Sequence, residues 1–192
     1  MRYIQSLGVD ADIPPWSGYM PDKTLRNGQQ FFDLPTAVRA LLIADGTVTM
    51  ALEAIYKEAI KVELSDQSMM LLDSDVPLLG LKAGHQVFYR EVELRGERSN
   101  RRYVSAYSLL KEGALSPELW ERLRNREVGM GVILRNASQG SFRRVLHIDT
   151  GDLIDQQDAN KVHRTYSVTI DDQPAILITE VFSLKALGEI ER

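Results

Sequence analysis

The chain has 192 residues, 44% of them hydrophobic and 26% charged, which corresponds to about one domain of ordinary globular composition and excludes a disordered or fibrous protein. Twenty-three basic against 27 acidic side chains give a net charge of −4. With no basic block interleaved with aromatics, no nucleic-acid partner is expected, and the absence of cysteine excludes disulfides, thiolate zinc sites and cysteine nucleophiles.

Residues 1–30 contain Gly8, Pro14, Pro15, Gly18, Pro21 and Gly28 without sustained periodicity, which predicts an irregular N-terminal extension ahead of a single domain over 31–192. Arg2, Asp10, Asp12 and the Pro14-Pro15 pair occupy the stretch a signal peptide would need apolar. No run approaches the ~18 to 20 apolar residues of a membrane helix, so no membrane insertion and a cytoplasmic location are expected. Asn136-Ala137-Ser138 therefore reads as an incidental sequon.

From Asp33 the pattern becomes helical. Pro35 suits a first turn, Val38, Leu41 and Leu42 recur at helical spacing, and Gly46 predicts a left-handed cap, giving a helix over about 35–44. Thr49 is the predicted cap of a second short helix through Leu52, Ile55 and Tyr56. The period then changes to two, and six strands are predicted over 60–70, 86–95, 102–110, 141–149, 161–170 and 175–184. Ser116-Pro117 opens a third helix between the third and fourth strands. Short connections at 96–101 and 171–173 force hairpins. The predicted class is α+β, a six-stranded mostly antiparallel sheet with helices packed on one face.

Side chains alternate along a strand, so each strand can be separated into two faces. Arg90 falls among Phe88, Val92 and Leu94. Arg164 falls among Val162, Tyr166 and Val168, and Glu180 between Ile178 and Phe182. The fourth strand groups Arg144 with Phe142, Leu146 and Ile148. An unpartnered buried charge costs several kcal/mol, so one inward charge is ordinarily half of a structural ion pair. Several converging from separate strands point instead to a sheet-lined pocket for a small anion, and two arginines against one glutamate suit a ligand with two carboxylates.

Other candidates carry less. Gly129-Met130-Gly131 lacks the third glycine of a dinucleotide fingerprint and reads as a tight turn. His85, His147 and His163 show no ligand spacing. Asp149, Asp152, Asp155 and Asp158 lack the ligand pattern of a calcium loop and read as a solvated connection.

Three blocks of residues resemble the chorismate lyase family (chorismate–pyruvate lyase, 4-hydroxybenzoate synthase). The first runs from Leu42-Ile43-Ala44-Asp45-Gly46-Thr47-Val48-Thr49 through Leu52-Glu53 to Val62-Glu63-Leu64. The second is Arg90-Glu91-Val92-Glu93-Leu94, and the third runs from Arg164-x-Tyr166-x-Val168 through Gln173-Pro174 to Thr179-Glu180-Val181-Phe182. The resemblance covers about residues 33–184. It implies a six-stranded antiparallel sheet with helical flaps over a ligand, and removal of pyruvate from chorismate to leave 4-hydroxybenzoate, an entry step to quinone or related aromatic biosynthesis, without metal or organic cofactor. It places the substrate-binding arginine at Arg90, the catalytic glutamate at Glu180, and a pocket residue at Met130 with Gly131 beside it. Arg164 matches a recurring arginine and is taken as a further substrate-binding residue. At Pro35 the chain departs from the family's apolar flap residue.

The competing expectation is a non-catalytic sensing domain of the same fold. Such domains follow an N-terminal winged helix, which 30 irregular residues cannot supply, and the pairing of Arg90 with Glu180 favours the lyase.

Overall fold

A computed structural model describes residues 24–25, 28–44, 46–125, 130–131, 141–151 and 159–188. Helix α1 (Thr36–Ile43) forms where Val38, Leu41 and Leu42 recur on one face, and all three are buried. Pro35 stands just ahead of the first turn. Gly46 does not supply the left-handed cap expected of it: the helix ends at Ala44 in an extended conformation, and Gly46 is not among the positive-φ residues. The physical reason is that Arg164 donates to the carbonyls of Leu42 and Ala44, so a side chain meets the terminal acceptors that a glycine cap otherwise serves.

Helix α2 (Val48–Tyr56) begins two residues earlier than predicted. Thr47, not Thr49, holds the capping position, in an extended conformation and without a side-chain bond. The helix closes on Lys57 at φ 53°. Helix α3 (Pro117–Arg124) starts as expected, with the Ser116 hydroxyl accepting from the Leu119 amide at 3.4 Å. A fourth, four-residue helix, α4 (Leu184–Leu187), takes Leu184 from the predicted sixth strand because the Ser183 hydroxyl accepts from the Ala186 amide at 3.2 Å.

The strands are β1 (Ile60–Leu71), β2 (Gln86–Gly96), β3 (Arg102–Lys111), β4 (Ser141–Thr150), β5 (Lys161–Ile170) and β6 (Gln173–Ser183). They form one antiparallel sheet in the order β1-β2-β3-β6-β5-β4. The β5–β6 turn is tighter than predicted. Asp171 and Asp172 take φ of 51° and 59°, the two left-handed positions that match the twist of a hairpin, and Gln173 already pairs with Ile170.

Helices α1, α2 and α4 pack Leu41, Leu42, Leu52 and Leu187 onto Leu94, Val104, Val162 and Phe182 of the sheet. Leu25 is buried in the same cluster, so the packed unit reaches back into the predicted extension. The opposite face is covered in part by residues 72–81, whose Leu72, Val76, Leu79 and Leu81 pack on Val87, Leu109 and Leu177.

At the β2–β3 hairpin, the Glu58 carboxylate accepts from the Tyr103 hydroxyl (2.7 Å), the Ser99 hydroxyl (2.8 Å) and the amides of Arg98 and Ser99 (both 3.1 Å). These bonds, the Tyr103 one foremost, hold its pKa at about 2, below the ordinary 4.5. A depressed carboxyl contributes stability that is fully present above its ordinary value and lost as pH falls toward the folded value. Stability should therefore decline between about pH 4.5 and 2, and Glu58→Gln should flatten that part of a pH–denaturation profile; an unchanged profile would remove Glu58 from the account.

Candidate functional site

Between the helix-side face of the sheet and the start of α2 lies a cavity of about 100 Å3. It exists because the middle of the sheet is low. Across one row Arg90, Ser108, Ile178 and Tyr166 stand opposite one another in turn, and across the next Val92, Ala106, Glu180 and Arg164 do so. Central strand β3 thus contributes only Ala106 and Ser108 where its neighbours carry larger groups, and the space above them is left open. Gly46, Thr47, Val48 and Thr49 form the roof, and Met130 and Gly131 close one side. A Cβ placed on Gly131 would stand 3.4 Å from the Thr47 methyl, in contact with that roof.

Arg90 and Glu180 both line the cavity, 5% and 7% exposed. Burial draws the Arg90 guanidinium below its ordinary pKa, yet an arginine stays cationic throughout the working range. Glu180 is held from two sides. Arg164 donates from Nε to Oε2 at 2.7 Å, and the Tyr166 hydroxyl donates to Oε1 at 3.2 Å. Burial and then the neighbouring Glu180 charge push the Tyr166 phenol well above the usual range, so it remains a hydroxyl and a donor.

The structure puts Met130 and Gly131, the positions the resemblance implied, on the same cavity as Arg90 and Glu180, but it does not place Arg164 on the cavity wall. Arg164 is 2% exposed and lies behind Glu180. Its Nη1 donates to the carbonyls of Leu42 (3.2 Å) and Ala44 (2.5 Å), and its guanidinium stacks on Tyr166, 5.0 Å from the ring centre. One side chain therefore ties the acidic group of the floor to the end of α1 beside the roof.

The second arginine on the wall is Arg143, which alternation missed. The β4–β5 register skips a residue between Val145 and His147, a bulge that turns Leu146 into the cluster on the far face. Below the bulge the parity is inverted, so Arg143 and Val145 share the helix side with Ile148, while Arg144 is exposed on the other side. A bulge leaves no mark in a period-two pattern. Arg143 Nη1 donates to the Gly46 carbonyl at 2.6 Å. Tyr166 is inward in the sequence pattern, but nothing there signals its bond to Glu180.

On the far face the His147 and His163 rings lie 5.6 Å apart, and His163 Nδ1 donates to the Gly151 carbonyl at 3.0 Å. Among the described residues no three histidine or carboxylate side chains come together to hold a metal ion. Asp152, Asp155 and Asp158 of the acidic stretch, Gly129 and the Asn136 sequon lie outside the described residues. No described helix is long and apolar enough to cross a membrane.

A single six-stranded antiparallel sheet in this order, roofed by helices on one face around an arginine–glutamate cavity, defines a chorismate lyase-like fold. Residues 42–190 match the family described as Chorismate pyruvate-lyase Rv2949c-like, and the chain belongs to that family. It is similar to the chorismate pyruvate-lyase of Mycobacterium leprae, 26% identical over 172 residues that span 85% of this chain and 81% of the relative. The Mycobacterium tuberculosis chorismate pyruvate-lyase is 26% identical over 80% of this chain and 83% of its own. Among solved structures, the C-terminal domain of the histidine utilization repressor from Pseudomonas syringae superposes with a TM-score of 0.49 at 10% identity, covering 69% of this chain and 94% of that one.

Proposed function

We propose that the protein is a chorismate pyruvate-lyase that releases 4-hydroxybenzoate, with Arg90 binding a substrate carboxylate, Met130 and Gly131 shaping the pocket, and Glu180 as the catalytic group. The product would feed assembly of quinones or related aromatics. The observation that carries the reading is the Glu180 carboxylate on the cavity floor, both of whose oxygens accept from fixed donors. A carboxylate so held is acceptor-only. That suits it to take the ring hydrogen beside the substrate hydroxyl.

In the step that follows, the C–H electrons complete the aromatic ring and the ring-to-ether C–O bond breaks. The enolpyruvyl group leaves with the electron pair of that C–O bond and takes a proton at its methylene carbon to become pyruvate. Atoms and charge balance with no added oxidant. Aromatisation supplies the driving force, and the protein's contribution is orientation and charge placement.

Incubation of the purified chain with chorismate should give 4-hydroxybenzoate and pyruvate in equal amounts. Tight binding without turnover would make the protein a binding module instead, and neither result would leave a structural ion network. Arg90→Ala should raise KM, the lost charge-assisted bond being worth roughly 1.5–3 kcal/mol. Arg90→Lys should recover only part, because the bidentate fork is gone. Unchanged kinetics in a folded Arg90→Ala protein would assign Arg90 to architecture.

A further inference from the structure

We infer that Arg143 binds the second carboxylate of the substrate, so that Arg90 and Arg143 grip the two ends of a dianion across Glu180; the inference rests on the lyase reading and deepens it. Arg164 lies off the cavity wall and bonds Glu180 from behind. The charge of Glu180 is thereby compensated outside the cavity. Among the described residues, the cationic side chains on the cavity wall are Arg90 and Arg143.

Their placement matches the chemistry. Arg90 stands on β2, Glu180 on β6 and Arg143 on β4, and β6 lies between the other two in the sheet. In chorismate the bond to be broken likewise lies between the ring carboxylate and the enolpyruvyl carboxylate. Arg90 is buried beside Val92 and Ile178, apolar lining of the kind that suits a carbon ring. Arg143 is half-buried at the roof and already donates to the Gly46 carbonyl. Arg90 therefore takes the ring carboxylate and Arg143 the enolpyruvyl carboxylate, the one that departs with pyruvate. A planar guanidinium can hold a carboxylate while another N–H keeps its bond to a carbonyl.

The product provides the test, because 4-hydroxybenzoate retains the ring carboxylate and lacks the other. Arg143→Gln should raise KM for chorismate roughly 10- to 100-fold, the range of a lost charge-assisted bond. The Kd of 4-hydroxybenzoate, measured by calorimetry on the same preparation, should change less than about 3-fold. Arg143→Lys should fall between wild type and glutamine for chorismate. Equal weakening of chorismate and 4-hydroxybenzoate would show that Arg143 only latches the roof through Gly46, and an unchanged KM would remove it from the site; either result overturns the inference while wild-type turnover keeps the lyase reading. A wild-type protein that neither turns over nor binds chorismate would instead overturn the lyase reading itself.

Discussion

Glu180→Gln should lower kcat by roughly 10² to 10⁴, the usual contribution of a positioned acid–base group, while 4-hydroxybenzoate still binds. Glutamine has nearly the same volume and can still accept from Arg164 or Tyr166 through its amide oxygen, so the pocket keeps its shape. It cannot take up a proton. Steady-state kinetics and product calorimetry on one preparation separate the two effects. If the variant melts much lower yet turns over normally when folded, Glu180 belongs to the architecture and the assignment of the site is wrong.

Arg164→Met should produce the largest loss of stability of any single change at the site, on the order of 3–5 kcal/mol, because removing one partner of a buried ion pair strands the other. Glu180 would lose its bond at Oε2, and the carbonyls of Leu42 and Ala44 would lose their donor. The denaturation midpoint measures the loss. The double variant Arg164→Met/Glu180→Gln should be less destabilised than the sum of its parts, since no buried anion is then left without its cation. Strict additivity would show that the two side chains are not coupled, whatever their separation in the structure.

Most of this arrangement could be read from residue order alone because strands with one covered face repeat every second residue. Arg90, Arg164 and Glu180 were visible as charges that break an apolar alternation, and all three are buried. What alternation cannot resolve is depth. It places Arg164 and Glu180 on one face, but only the packing of α1 shows that the arginine is covered by the Leu42 and Ala44 carbonyls while the glutamate looks into open space. Nor can it count through a bulge: the extra residue at Leu146 moves Arg143 inward and Arg144 outward, with no glycine or proline to mark the place. The helix boundaries failed for a related reason. Gly46 and Thr49 have the local chemistry of caps, but a distant side chain, Arg164, meets the terminal carbonyls of Leu42 and Ala44, a tertiary bond that overrides local preference, and the second helix starts at Val48, which puts Thr49 inside it.

The short side chains of Ala106 and Ser108 set a limit on how tightly this protein can fold. Cavity volume in protein interiors costs about 24 cal/mol per Å3, so a void of about 100 Å3 corresponds to roughly 2 kcal/mol of packing forgone, an upper figure for a space that water can enter. Selection for thermal robustness alone would favour valine or leucine at these two positions, and each such gain would be made by filling the space the ligand needs. The centre of the sheet is thus the region where stabilising drift and retained function pull in opposite directions.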